Sequence, residues 1–164
     1  LMFKKRKTTY HITDFKFKEG DILKVNDIMT SPAKSVRVNS TLGEVADEMK
    51  RLNVGSIPVC DDSNNLMGIV TDRDIVVKGI SQGHNNGATV ESVMTKNPIT
   101  VSPETSIEEA TNVMSHHQIR RLPVTDNGRL VGILALGDIA VSDHVADKAG
   151  DALSNISEPA RPEM

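Results

Sequence analysis

A chain of 164 residues, 38% hydrophobic and 25% charged, has the length and balance of one ordinary soluble domain or two very small ones. Its net charge of −3 excludes a general electrostatic pull toward nucleic acid or membrane, and no apolar run reaches the ~20 residues of a membrane helix. A single cysteine, Cys60, excludes an internal disulfide and fits a reducing cytoplasm, the expected location.

The start, LMFKKRKTTYH, carries a basic cluster with no apolar stretch behind it. Residues 1–23 are therefore expected to be a solvated or appended extension and not a signal peptide. All four aromatic residues (Phe3, Tyr10, Phe15, Phe17) lie in this segment, so the core beyond it must be Val, Ile, Leu, Met and Ala.

Beyond the extension the chain is one unit written twice. At an offset of 65, Val25-Asn-Asp-Ile-Met-Thr30 matches Val90-Glu-Ser-Val-Met-Thr95, Met49 matches Met114, and Ile57-Pro58-Val59 matches Leu122-Pro123-Val124. One residue is dropped in a turn, and at an offset of 64 Gly68-Ile69-Val70 matches Gly132-Ile133-Leu134 and Asp74-Ile75 matches Asp138-Ile139.

Each copy predicts the same order of elements. A short helix (around Asn26–Met29 and Glu91–Met94) leads into an extended segment (Lys34–Val36 and Ile99–Val101). A longer helix follows, opened by Thr41…Glu44 or Ser106…Glu109 at capping-box spacing. Leu42, Val45, Ala46, Met49 and Leu52 share one face of the first such helix, and Ile107, Ala110, Val113 and Met114 share one face of the second. Two strands come next, Ile57–Cys60 with Leu66–Val70 and Leu122–Thr125 with Leu130–Leu134, joined by the polar turns DDSNN and DNGR. A last helix starts near Thr71 or Ala135. These readings give an α+β fold with repeats at 24–80 and 90–146, a linker at 81–89 and a frayed tail at 147–164. A unit of about 50 residues is marginal alone, so the copies are expected to pack their sheets together about a pseudo-two-fold axis.

With GIVTDRDI closing one copy and GILALGDI the other, and with TVSPETSIEEA and HHQIRRLPV between, the chain resembles a tandem pair of CBS domains, a Bateman module. The likeness extends to small stand-alone bacterial proteins built of little else. The resemblance implies a β-α-β-β-α repeat and a cleft between copies that binds AMP, ADP, ATP or S-adenosylmethionine, with no cofactor required. Carried over by position, Asp74 would accept from the ribose hydroxyls, Thr71 would support ribose or phosphate, and Arg120 and Arg121 would meet phosphate. Ile99, Thr100, Val101, Leu122 and Pro123 would hold the adenine. The second copy keeps Asp138 but has Ala135 in place of the hydroxyl, and Gly55-Ser56 stands where the arginines would be. Its cleft, with Lys34, Ser35, Val36, Ser56, Ile57 and Pro58, is expected to be the weaker, leaving at most one competent site.

The plain structural reading of the same residues is that Thr71 caps a helix, Asp74 sits in its first turn and the arginines are solvated at a strand edge. His116 and His117 are adjacent and cannot share a helix face, while His11, His84 and His144 are scattered, so no metal site is expected. The basic stretch Lys4–Lys7 is too short to make nucleic acid an expected partner. No P-loop, nucleophile elbow or dinucleotide fingerprint occurs. The expected function is a non-catalytic sensor, linked to cellular energy state through its adenine ligand, that regulates a further protein. It is expected to dimerise through helical faces carrying Ile75, Val76, Val77, Ile139, Ala140 and Val141. Alternatives are a ligand-free dimeric scaffold or stress-response protein, and a relative of inosine monophosphate dehydrogenase lacking the catalytic barrel of ~250 residues.

Overall fold

The computed structural model describes residues 22–142 and 146–157. The basic extension, its aromatic residues, His11, His144 and residues 158–164 lie outside the described residues.

In the first repeat, helix α1 (Val25–Ile28) leads to strand β1 (Val36–Arg37), helix α2 (Leu42–Leu52) and the hairpin β2 (Ser56–Cys60) and β3 (Leu66–Thr71). Thr41 and Glu44 form the expected reciprocal cap at the start of α2: the Glu44 N–H donates to Thr41 Oγ1 at 3.2 Å and the Thr41 N–H to Glu44 Oε2 at 2.8 Å. Asn53 ends the helix in the left-handed conformation, with φ 56°. The stripe on α2 buries Leu42, Val45 and Met49, while Ala46 is exposed at its edge. From β3 the chain turns into α3 (Asp72–Asp74), which widens into a π-helical turn, Ile75–Gly79, and tightens into a 3₁₀ turn, Ile80–Gln82.

The second repeat follows the same plan with local differences. Its lead-in is a 3₁₀ turn, Val90–Ser92, followed by β4 (Thr95–Lys96), α4 (Ile107–His117), β5 (Arg121–Asp126), β6 (Arg129–Ala135) and α5 (Leu136–Ala140). Ser106 caps α4 by accepting from the Glu109 N–H at 3.1 Å. The extended segment expected at Ile99–Val101 is reduced to one parallel bridge, Val101 to Val124.

The repeats exchange their lead-in segments, which the repeat pattern alone did not show. Val25 is fully buried in the core of the second repeat, against Ile107, Met114, Leu122 and Leu134. Val90, Val93 and Met94 lie in the core of the first, with Val45, Ile57 and Val70. The backbone bonds obey the same symmetry: the Val25 N–H donates to the Thr105 carbonyl at 2.9 Å and the Val90 N–H to the Ser40 carbonyl at 2.8 Å. Strand β4 completes the sheet β1-β2-β3-β4 of the first repeat, and Thr30 pairs with Ile133 on β6 of the second. Each core is closed by a valine from the other repeat. Burying one such side chain contributes about 1.5–3 kcal/mol, so neither half keeps its full core alone.

The expected tail beginning at residue 147 is corrected. Ala146–Ile156 forms a further helix, α6, that packs on α4 and α5 and buries Ala149 and Ala152. Its burying residues are small, so they give little apolar signal in sequence. They allow close approach in space.

Candidate functional site

Strands β3 and β6 each end in a short helix start, and the pairing register fixes what lies beside it. Ser56 pairs with Thr71 and Arg121 with Ala135. The Asp72 N–H donates to the Gly55 carbonyl at 3.0 Å, and the Leu136 N–H to the Arg120 carbonyl at 2.9 Å. The turns at 55–56 and 120–121 are therefore pseudo-symmetric neighbours of the starts of α3 and α5.

All of these segments face one cavity of about 1390 Å³. Ligand pockets commonly span ~300–1,000 Å³, so the space admits a nucleotide-sized molecule. Residues expected in two separate clefts share this wall: Thr71, Asp74, Ile99, Arg120, Arg121 and Pro123 from the stronger one, Ser56 and Asp138 from the weaker. Thr100, Val101 and Leu122 are not part of the wall, and Val101 and Leu122 are buried in the second core. Lys34, Ser35, Val36, Ile57 and Pro58 do not reach it either; Val36 and Ile57 belong to the first core. Alternation along a buried strand turns its side chains toward the core, which accounts for Ile57 and Leu122.

Sequence reasoning missed the contribution of α6, which lines the cavity with Ala146, Ala149, Gly150 and Leu153. Thr95, beside β3, also lines it because the lead-in segments are exchanged.

The two carboxylates differ in their bonding. Asp74 Oδ2 accepts from the Thr71 N–H at 2.9 Å and from Thr71 Oγ1 at 2.7 Å, while Thr71 Oγ1 accepts from the Asp74 N–H at 3.0 Å. Asp74 Oδ1 pairs with Lys78 Nζ at 2.8 Å. Burial pushes the Asp74 carboxyl up, but the hydrogen bonds from Lys78 and Thr71 together outweigh it and hold the group below its usual value. Asp138 Oδ2 accepts from the Ala135 N–H at 3.2 Å, its one bond among the described residues. Thr71 thus is the helix cap of the plain structural reading, and it also faces the cavity. Arg120 and Arg121 are exposed at the cavity wall and make no ion pair among the described residues.

The CBS domain model matches residues 25–79 and 90–143. The chain belongs to the CBS domain family. Helix α6 lies beyond the matched segments. Hypoxic response protein 1 of Mycobacterium tuberculosis is 41% identical over 115 residues, 70% of this chain and 80% of that protein. A crystal structure of Hypoxic Response Protein I with two coordinated zinc ions superposes with a TM-score of 0.67 at 39% identity, covering 71% of this chain and 96% of that one. The structure of CBSX2 in complex with AMP gives 0.65 at 31% identity, over 72% and 93%. The CBS domain pair of MJ0100, in complex with 5′-methylthioadenosine and S-adenosyl-L-methionine, gives 0.66 at 32%, over 73% and 94%. These neighbours share the mixed α+β architecture of two related repeats.

Among the described residues no group of three or more His, Cys, Asp or Glu is placed to hold a metal ion, and Cys60 is buried. Nor is any helix there long and apolar enough to cross a membrane.

Proposed function

We propose that this protein is a non-catalytic regulatory module that binds an adenosyl ligand in the cavity between its repeats. The observation that carries the reading is that two carboxylates, Asp74 and Asp138, and the arginine pair Arg120-Arg121 face one cavity of about 1390 Å³. A carboxylate accepts both hydroxyls of a ribose, and a guanidinium complements phosphate. The ligands held by CBSX2 and by the MJ0100 pair, AMP in one and S-adenosylmethionine with methylthioadenosine in the other, support the same chemistry. In this reading Thr71 and Asp74 take the ribose, Arg120 and Arg121 the phosphates, and Ile99 and Pro123 the adenine. The module acts as a cytoplasmic homodimer and passes occupancy on to a regulated partner.

Titration calorimetry of the full chain with AMP, ADP, ATP and S-adenosylmethionine tests this. Saturable binding of at least one at a stoichiometry near one per chain supports it. Absence of heat and of any thermal-shift response with all four would leave a bare scaffold.

A further inference from the structure

We infer that Lys78 competes with the ligand's hydroxyl pair for the Asp74 carboxylate, and so sets how strongly that half of the cavity holds a nucleoside. The inference rests on the adenosyl reading above.

It follows from counting acceptor sites. An ionised carboxylate offers about four lone-pair positions, two on each oxygen. Both positions on Asp74 Oδ2 are taken by Thr71, through its N–H at 2.9 Å and its hydroxyl at 2.7 Å. One position on Oδ1 is taken by Lys78 Nζ at 2.8 Å. A single position is left, and a vicinal diol donates two hydrogen bonds. The second hydroxyl can be accepted only after Lys78 withdraws.

The device is built into one repeat. Lys78 belongs to the π-helical turn Ile75–Gly79 that prolongs α3, which carries it back over Asp74 four residues earlier. Isolated π-turns of this kind occur often at functional sites. In the second repeat α5 stops at Ala140, and the residue at the matching position is Ser142. Lys78 itself is not part of the cavity wall. Its Nζ meets Oδ1, the carboxylate oxygen that Thr71 leaves free, and from there it can withdraw into solvent. The lysine side chain is 44% exposed and the aspartate 16%, so the pair resembles a partly screened surface ion pair. Such pairs correspond to about a two- to fivefold preference for the closed state.

Calorimetry with adenosine as the probe tests the inference, because a neutral ligand does not register the loss of one positive charge elsewhere. Lys78→Met is expected to bind adenosine about two- to fivefold more tightly than the wild type, following the strength of such ion pairs. Lys78→Gln, which keeps the stem and a weaker donor, should show a smaller gain. The gain should vanish when Lys78→Met is combined with Asp74→Ala. Thermal melts of each variant establish that it is folded, and the glutamine variant serves if the methionine variant is not. Unchanged or weaker adenosine binding in Lys78→Met overturns the inference and makes Lys78 a positioning residue, while the adenosyl reading stands. If adenosine, AMP, ADP, ATP and S-adenosylmethionine all fail to bind the wild type and both variants, the adenosyl reading falls and this inference with it.

Discussion

Met94 lays its thioether on the bare backbone of Gly68 in the other repeat's hairpin: a β-carbon there would lie 2.7 Å from the sulfur and 2.8 Å from the Thr95 carbonyl oxygen. Gly132 meets Met29 in the matching place. These contacts are where the exchanged lead-in segments lock onto the sheets. Strand β4 pairs with β3 at Gly68 itself, opposite Lys96. Gly68→Ala is expected to destabilise the fold by about 1–3 kcal/mol, the usual cost of forcing an extra carbon into a packed site. Adding Met94→Ala should recover little of this, because the carbonyl clash remains. Urea denaturation checks it, and an unchanged midpoint for Gly68→Ala would mean that the lead-in segment is not held where it is described.

The repeat, its hairpins and the caps of α2 and α4 were legible because they rest on short-range rules. Thr41 and Glu44 sit at cap spacing, and apolar residues recur along the faces of Leu42–Leu52 and Ile107–His117. The exchange of lead-ins was not legible. The lead-ins match in both copies, and two near-identical cores offer two equivalent places to bury Val25 and Val90. Helix α6 escaped for another reason: Ala149, Gly150 and Ala152 carry too little apolar surface to announce a packed face. Of the residues expected at the site, Asp74, Arg120, Arg121 and Asp138 lie on the cavity wall, beside Asp72 and Arg73, which were not expected there. Ile57 and Leu122, on the neighbouring strands, turn into the cores and lie off the cavity wall.

Asp74 should leave a signature in acid. Its folded value lies below the ordinary 3.8, so the stabilisation it contributes is fully present above that value. It is lost as the pH falls through the folded value, when the carboxylate protonates and releases Lys78 and Thr71. Asp74→Asn is therefore expected to be less stable than the wild type at pH 7, with the gap closing as the pH falls below 3.8. Asp61 and Glu48 are also held low, by Asn65 and by Arg51, so the acid transition itself persists in the variant. Equal differences between the two proteins at pH 7 and in strong acid, measured by denaturant titration, would contradict the bonding described.

The helical face expected to mediate dimerisation is only partly available. Ile139 is fully buried and Ile75 packs against the first core. What stands exposed of it is Val76 at 55%, Val77 at 47%, Val141 at 81% and Ala140, and Ile80, outside the expected set, is exposed at 66%. A face of that kind is costly to leave in water, and a homodimer that covers it is the expected assembly. Light scattering should report a dimer for the wild type and a monomer for the pair Val77→Glu with Ile80→Glu. A monomeric wild type at micromolar concentration would sink this part of the proposal.

Of the three aspartates on the cavity wall, Asp72, Asp74 and Asp138, the latter two set availability against preorganisation. Asp138 has more acceptor positions open, with one bond at 3.2 Å among the described residues. Asp74 is partly occupied by Lys78, yet two bonds from Thr71 to its carboxylate hold its rotamer in place. Displacing Lys78 costs at most about 1 kcal/mol, as for other partly exposed pairs. Hydrogen bonds to a charged, preorganised acceptor, with the penalty for donors left unpaired, are worth about 2–3 kcal/mol. Asp74 therefore dominates. Asp74→Ala is expected to weaken AMP binding roughly 30- to 150-fold before that competition is deducted, and about fivefold or more after it. Asp138→Ala should cost less, since an untethered carboxylate loses part of each bond to the ordering of its own side chain. Arg120→Ala should weaken AMP and spare adenosine, because its assigned partner is phosphate alone. Calorimetry on the three variants checks the order. Loss of binding in Asp138→Ala with Asp74→Ala intact would invert the assignment and move the ribose to the second repeat.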